Sequence, residues 1–159
     1  MFTSFRYPTP KQGLIWLKRR QQVRPSIIAE ELQVSRPFVS KAQQRAEARI
    51  EKLLQHAASI NRIEVKHLSP CYGIAVGYCS AYQAKTYITY SPKIGIQTWF
   101  AHQGDCGSCA QESECKRIIA QLAQEWQISI PTNQSPTDTA KHLFTTIQKR
   151  LKWENDQNP

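Results

Sequence analysis

The 159-residue chain has no long apolar run, and this excludes the simplest kind of membrane protein. Its longest apolar runs, residues 14–17 and 74–76, are far shorter than the roughly 18 residues that cross a bilayer. The first ten residues, MFTSFRYPTP, lack the charged start, apolar centre and small-residue cleavage site of a signal peptide. We therefore expect a cytoplasmic protein that does not associate with a membrane.

Catalytic motifs are also missing. The chain contains no phosphate-binding loop, no nucleophile elbow and no helix with paired histidines. Its 12 acidic residues are scattered and form no evident pair for general acid–base chemistry. We therefore expect a protein that binds its target and is not an enzyme.

Negative charge is scarce in the N-terminal part of the chain. Residues 1–60 hold 11 basic and 4 acidic side chains, a net charge of +7, whereas residues 61–159 hold 10 and 8, a net charge of +2. A basic segment joined to a nearly neutral one indicates a polyanion-binding head attached to a second functional part. The alternative is a solvated surface that only keeps the protein soluble.

No cysteine occurs in the first 70 residues, yet five follow: Cys71, Cys79, Cys106, Cys109 and Cys115. Thiols in a cytosolic protein are normally reduced, so clustered cysteines point to metal or redox chemistry before structural disulfides. Three of them fall within ten residues, as Cys-x2-Cys-x5-Cys, in a loop that also contains Gly104 and Gly107.

Local signals predict an α+β protein. Capping residues and apolar spacing predict helices over about 10–21, 25–32 and 36–57, then a helix capped by Ser113 and a last helix that opens at Ser135-Pro136. Between them, short segments rich in β-branched and aromatic residues predict three or four antiparallel strands: RIEVKHL, GIAVGYC, KTYITYS and IGIQTWF. We expect a domain boundary at 58–61.

Residues 27–46, IIAEELQVSRPFVSKAQQRA, resemble the helix-turn-helix of bacterial and archaeal regulators. The closest form is the tri-helical one in region 4 of sigma factors and in LuxR-type output domains. Ala29 stands at the small position where the helices cross, Val34 in the turn, and Val39 and Ala42 face the preceding helix. Gln33 occupies the turn position that is usually glycine.

The resemblance implies that the third helix enters the major groove of double-stranded DNA. Its exposed side would carry the base-reading residues Arg36, Pro37, Ser40, Lys41 and Gln44, with Phe38 beside them. Six cations would contact phosphates: Lys18, Arg19, Arg20, Arg24, Arg45 and Arg49. The alternative is a helical hairpin used for protein contacts.

The apolar stripe of the third helix continues beyond the motif through Ile50, Leu53, Leu54 and Ala57. It can pack on the C-terminal domain or pair with the same helix of a second chain. We expect a homodimer, because symmetric dimers are common and match two-fold operators.

The Cys106, Cys109 and Cys115 run is similar to the iron–sulfur loop of endonuclease III-type DNA glycosylases and to the cysteine-rich loop of redox-sensing MerR-class regulators. This similarity implies an iron–sulfur cluster, of the [4Fe-4S] type with a fourth ligand. Cys79, His102 and Cys71 are the candidates for that ligand. Zinc is the first alternative and a redox disulfide the second.

The whole chain looks like the archaeal helix-turn-helix regulators that carry a C-terminal cysteine cluster. That resemblance implies a DNA-binding domain with a long connecting helix over 1–58 and a metal-cluster-binding sensor domain over 59–159, built of a small antiparallel sheet and C-terminal helices. The expected function is transcription regulation controlled by the cluster. The alternatives are a zinc-stabilised DNA-binding protein that does not switch and an iron–sulfur DNA-repair enzyme.

Overall fold

The computed structural model describes residues 6–102 and 106–153. The chain divides into two compact units, residues 1–100 and 101–159. Over the described residues the protein is mixed α+β, with five α-helices and one four-stranded antiparallel sheet. No helix within these residues is long and apolar enough to cross a membrane.

The first unit begins with three helices: α1 (Pro10–Arg20), α2 (Pro25–Leu32) and α3 (Arg36–Ile60). Each starts where the sequence predicts. Thr9 and Gln12 form a reciprocal capping box at α1, and the Ser35 hydroxyl accepts a hydrogen bond from the Phe38 amide at α3. A proline in the first turn of each helix has the right φ and needs no amide partner there.

The sheet follows directly and is a simple meander. Its strands are β1 (Ile63–Ser69), β2 (Ile74–Cys79), β3 (Ala84–Ser91) and β4 (Gly95–Phe100), hydrogen-bonded in the order β1-β2-β3-β4. In register, Ala75 faces Ile88 and Ile88 faces Thr98. A bulge between Val65 and His67 interrupts the pairing of edge strand β1. The prediction of three or four antiparallel strands is confirmed with four strands.

One helix, α3, serves two hydrophobic cores. Its first turns pack Val39 and Ala42 against α1 and α2, in a core with Ile15, Ile28 and Ala29. Its later turns place Ala46, Ile50, Leu54 and Ala57 in a second core with residues of the sheet, among them Ile88 and Tyr90. Ile50, Leu54 and Ala57 of this stripe are therefore buried against the sheet. Of the two expected uses, packing on the chain beyond residue 58 is the one observed.

This packing moves the division of the chain. The expected boundary at 58–61 falls between α3 and β1, but both elements belong to the same compact unit, which ends at Phe100. The reason is that the sheet and the three helices share α3. A composition change near residue 61 marks the switch from helix to strand and not the edge of a compact unit.

The second unit contains a 3₁₀ turn (Cys106–Ser108), α4 (Glu112–Trp126) and α5 (Pro136–Leu151). Helices α4 and α5 pack against each other. Ser135 caps α5 as predicted, whereas Ser113 lies inside α4 and Gln111 precedes it without a side-chain cap. The Arg150 guanidinium donates to the carbonyl oxygens of Trp126 (2.6 Å) and Gln127 (3.3 Å), so that it caps the end of α4.

Candidate functional site

The connection between α2 and α3 is a tight turn built on Gln33. This residue adopts the left-handed conformation, with φ 54° and ψ 47°. It is the C-cap of α2, and its backbone N–H donates to carbonyl oxygens of the last turn of that helix. Glycine is favoured in this conformation because a Cβ atom crowds the neighbouring carbonyl. The next residue, Val34, packs on the core of the three helices and donates its amide hydrogen to Ala29 O at 2.9 Å. The turn therefore forms without the glycine.

Buried positions on α3 leave the predicted base-reading residues on its open side. Val39 and Ala42 face the core, and six α3 residues predicted to contact bases or phosphate are all exposed: Arg36, Pro37, Ser40, Lys41, Gln44 and Arg45. Phe38 lies beside them, 42% exposed, with the Lys11 ammonium 5.8 Å from its ring centroid. This set is called the α3 surface below.

Three cations of the α3 surface have no side-chain partner among the described residues. Among residues 6–102 and 106–153, Arg36, Lys41 and Arg45 form no ion pair and no side-chain hydrogen bond. The same holds for Arg24, which stands exposed at the start of α2. Because no acidic side chain in the described part of the chain pairs with them, these cations are available to an anionic ligand.

Four of the six cations predicted to contact phosphate already have partners in the first unit: Lys18, Arg19, Arg20 and Arg49. Lys18 forms an ion pair with Glu31 at 2.7 Å. Arg19 donates to the Gln43 side chain at 3.2 Å and to Val23 O at 2.9 Å. Arg20 donates to Tyr72 O at 3.1 Å, and Arg49 donates to the Gln12 side chain at 3.0 Å. These side chains fasten α1 to its neighbours, a role that the sequence did not reveal.

Two of the three candidate fourth ligands, Cys79 and Cys71, lie in the first unit, and each contacts other residues of that unit. Cys79 is 1% exposed in the core between α3 and the sheet, and its thiol approaches Asn61 O at 4.0 Å. Cys71 lies against Glu47. Burial raises the pKa of the Cys71 thiol, and the neighbouring Glu47 carboxylate raises it further. The third candidate, His102, is exposed, and residues 103–105 after it lie outside the described part of the chain.

The remaining three cysteines lie close together in the second unit. Cys106 opens the 3₁₀ turn, Cys109 closes it with a hydrogen bond from its amide to Cys106 O at 3.2 Å, and Cys115 is on α4. Burial raises the pKa of the Cys115 thiol, and the negative charges of Cys109 and Cys106 add to the rise. Cys106 and Cys109 are therefore both within electrostatic range of Cys115.

The Cys106 side chain makes a contact that the sequence did not predict. Its Sγ atom lies 2.9 Å from Thr137 Oγ1 at the first turn of α5, and Thr137 Oγ1 is 3.3 Å from the capping hydroxyl of Ser135. Over residues 6–102 and 106–153, no three side chains of His, Cys, Asp or Glu are placed to hold a metal ion. As arranged, the described thiols do not by themselves complete a metal site, and the iron–sulfur cluster and its zinc alternative stay predictions.

Comparison with known proteins assigns no relative. No protein-family model, no curated protein and no solved structure matches this chain.

Proposed function

We propose that this protein binds double-stranded DNA through the α3 surface, as a transcription regulator with a helix-turn-helix head. One observation carries the proposal: a row of exposed side chains, three of them cations without a partner in the described chain, stands over the buried Val39 and Ala42. A helix whose inner side is fixed by a core and whose outer side carries unneutralised cations suits the major groove.

Each residue type on the α3 surface has a matching partner on DNA. Arg36 and Lys41 donate hydrogen bonds and suit the two acceptors of guanine, whereas the Gln44 amide suits the donor and acceptor of adenine. Pro37 offers an apolar surface to a thymine methyl group. Arg24 and Arg45 suit phosphates, which position the protein without reading sequence.

The test compares two lysines on the same helix. Lys41 lies on the α3 surface, and Lys52 is equally an exposed α3 lysine but lies three turns further on. Binding is measured by fluorescence anisotropy on a duplex selected from a random pool, at constant salt. We expect Lys41→Ala to weaken binding about fivefold or more, and Lys52→Ala to change it less than twofold, because each base contact contributes about 1–3 kcal/mol. Equal losses in both variants, or no binding by the unaltered protein, would refute the proposal.

Metal-dependent control by the second unit is a further part of the proposal. Cys106 and Cys109 bracket the 3₁₀ turn and Cys115 is at the start of the following helix, and this placement supports it, since thiolates are the ligands of iron–sulfur clusters and of zinc. Anaerobic protein is analysed for iron, zinc and sulfide, and the DNA affinities of the loaded and metal-free forms are compared. A brown preparation that contains iron and sulfide, with unequal affinities, supports cluster control. Equal affinities remove the control, and colourless protein with stoichiometric zinc favours the alternative that does not switch.

The homodimer belongs to the same proposal. Two heads related by two-fold symmetry fit operators whose half-sites lie about one helical turn apart. Because Ile50, Leu54 and Ala57 are buried against the sheet, α3 does not offer this stripe to a second chain. Light scattering with and without the selected duplex tests the assembly, and a monomer bound to a single half-site would contradict it.

A further inference from the structure

The backbone between Cys106 and Cys109 has the geometry of a disulfide site. The two residues bracket one 3₁₀ turn, closed by the hydrogen bond from the Cys109 amide to Cys106 O at 3.2 Å. Side chains three residues apart in such a turn are eclipsed, and three rises of roughly 2.0 Å separate their Cα atoms by about 6 Å. This separation falls within the roughly 4.4–6.8 Å that is usual between the Cα atoms of a disulfide.

The two thiols have different surroundings. Cys109 is exposed and accessible to a small molecule, whereas Cys106 is partly buried and its Sγ atom lies 2.9 Å from Thr137 Oγ1. The Thr137 hydroxyl is in turn 3.3 Å from Ser135 Oγ, the N-cap of α5. The Cys109 thiol is therefore open to attack an external disulfide, and the Cys106 thiol is held by its contact with a hydroxyl group.

From this geometry we propose that Cys106 and Cys109 form a reversible disulfide by exchange with a small-molecule disulfide. Cys109 loses its proton to water, and its thiolate attacks one sulfur of that molecule; a mixed disulfide forms on Cys109, the original S–S bond breaks, and one small thiolate leaves and is protonated. Cys106 then loses its proton to water, attacks the Cys109 sulfur and displaces the second small thiolate. Two protein thiols become one disulfide, and one small disulfide is reduced to two thiols.

The exchange changes a contact in the second unit and leaves Cys115 out. In the disulfide the Cys106 sulfur has no proton to donate, so its contact with Thr137 Oγ1, at 2.9 Å in the thiol form, would depend on the threonine hydroxyl as the donor. Cys115 is six residues beyond Cys109 and inside α4, outside the eclipsed register of the turn. The inference does not rest on DNA binding, and it concerns the metal-free protein, because a sulfur in a disulfide is not a metal ligand.

The test uses the full chain without DNA. Protein is reduced, stripped of metal with a chelator, and mixed anaerobically with excess oxidised glutathione. We expect the loss of two free thiols and the recovery of a peptide in which Cys106 and Cys109 are linked, with both thiols restored by dithiothreitol. Thiol titration and peptide mass spectrometry give the two readings.

Single serine variants separate the steps. Cys106→Ser should stop at glutathione attached to Cys109, Cys109→Ser should form no internal disulfide, and Cys115→Ser should behave as the unaltered protein. Circular dichroism establishes that each variant is folded. The proposal is overturned if glutathione stays on Cys109 of the unaltered protein while Cys106 remains a thiol, or if the main linkage includes Cys115 or Cys71.

Discussion

Replacing Leu54 by alanine tests whether the three helices and the sheet form one cooperative unit. Leu54 is completely buried on α3, in the core that the helix shares with the sheet. It lies more than three helical turns from Ala42, the last α3 residue of the first core. Because α3 runs unbroken through both cores, a loss of packing in the core with the sheet should also destabilise the core with α1 and α2.

The size of the loss follows from the burial. Leucine to alanine removes three carbon groups, about 0.8 kcal/mol each, and a cavity that does not collapse adds to this. We expect a loss of about 3 kcal/mol in the free energy of unfolding, which is a factor of about 150 in the unfolding equilibrium. Gln55→Ala, at an exposed position of the same helix, should change the stability by less than about 0.5 kcal/mol.

Hydrogen exchange read by mass spectrometry distinguishes a global effect from a local one. In the Leu54→Ala protein we expect peptides from α2 and from β3 to lose protection by the same amount, since both elements unfold with α3. If the loss is confined to the sheet and α2 keeps its protection, the two cores are independent. Residues 1–100 would then not unfold as one cooperative unit, although they form one compact unit.

Three further results are expected. Gln33→Gly should raise the free energy of unfolding by about 0.5–1 kcal/mol in denaturant melts, because glycine relieves the left-handed φ of 54°; a loss would contradict the turn geometry. Arg45→Ala should reduce the slope of log affinity for DNA against log salt by about 1, whereas Arg49→Ala, whose guanidinium is bonded to Gln12, should leave the slope unchanged. Burial raises the pKa of Tyr87 to about 12 from 10.0, so its contribution to stability is complete below pH 10 and is lost as the pH rises from 10 through 12. Thermal melts of Tyr87→Phe across that range should lack this part of the decline, and identical profiles would refute it.

Helix starts were predictable because their signals are local. Thr9, Ser35 and Ser135 accept backbone hydrogen bonds within three residues, and proline follows each of them at the start of a helix. The prediction that Ser113 caps α4 was wrong, because the helix begins one residue earlier, at Glu112. A serine next to acidic residues is common both at the N-cap and inside the first turn, so the local sequence does not distinguish the two positions. Helix α3 extends to Ile60, beyond the predicted end at Ala57, because no glycine or proline stops it there.

The candidate sites were predictable only in part. The positions of the α3 surface follow from helical periodicity, since burial of Val39 and Ala42 determines which side remains open. Gln43, Tyr72 and Gln12, which bind Arg19, Arg20 and Arg49, are 24, 52 and 37 residues away along the chain, and no local pattern encodes such distances.

The sequence by itself determined the kinds and order of the elements, the exposed residues of α3 and the close spacing of three cysteines, because caps, periodicity and spacing act within a few residues. Tertiary packing decided which cations are held by neighbours, where the compact units divide, and that Cys71 and Cys79 have settings in the first unit. It also placed Thr137 against Cys106, across 31 residues of chain. These features depend on which distant surfaces meet, and that is settled only when the apolar stripes of helix and sheet are buried together.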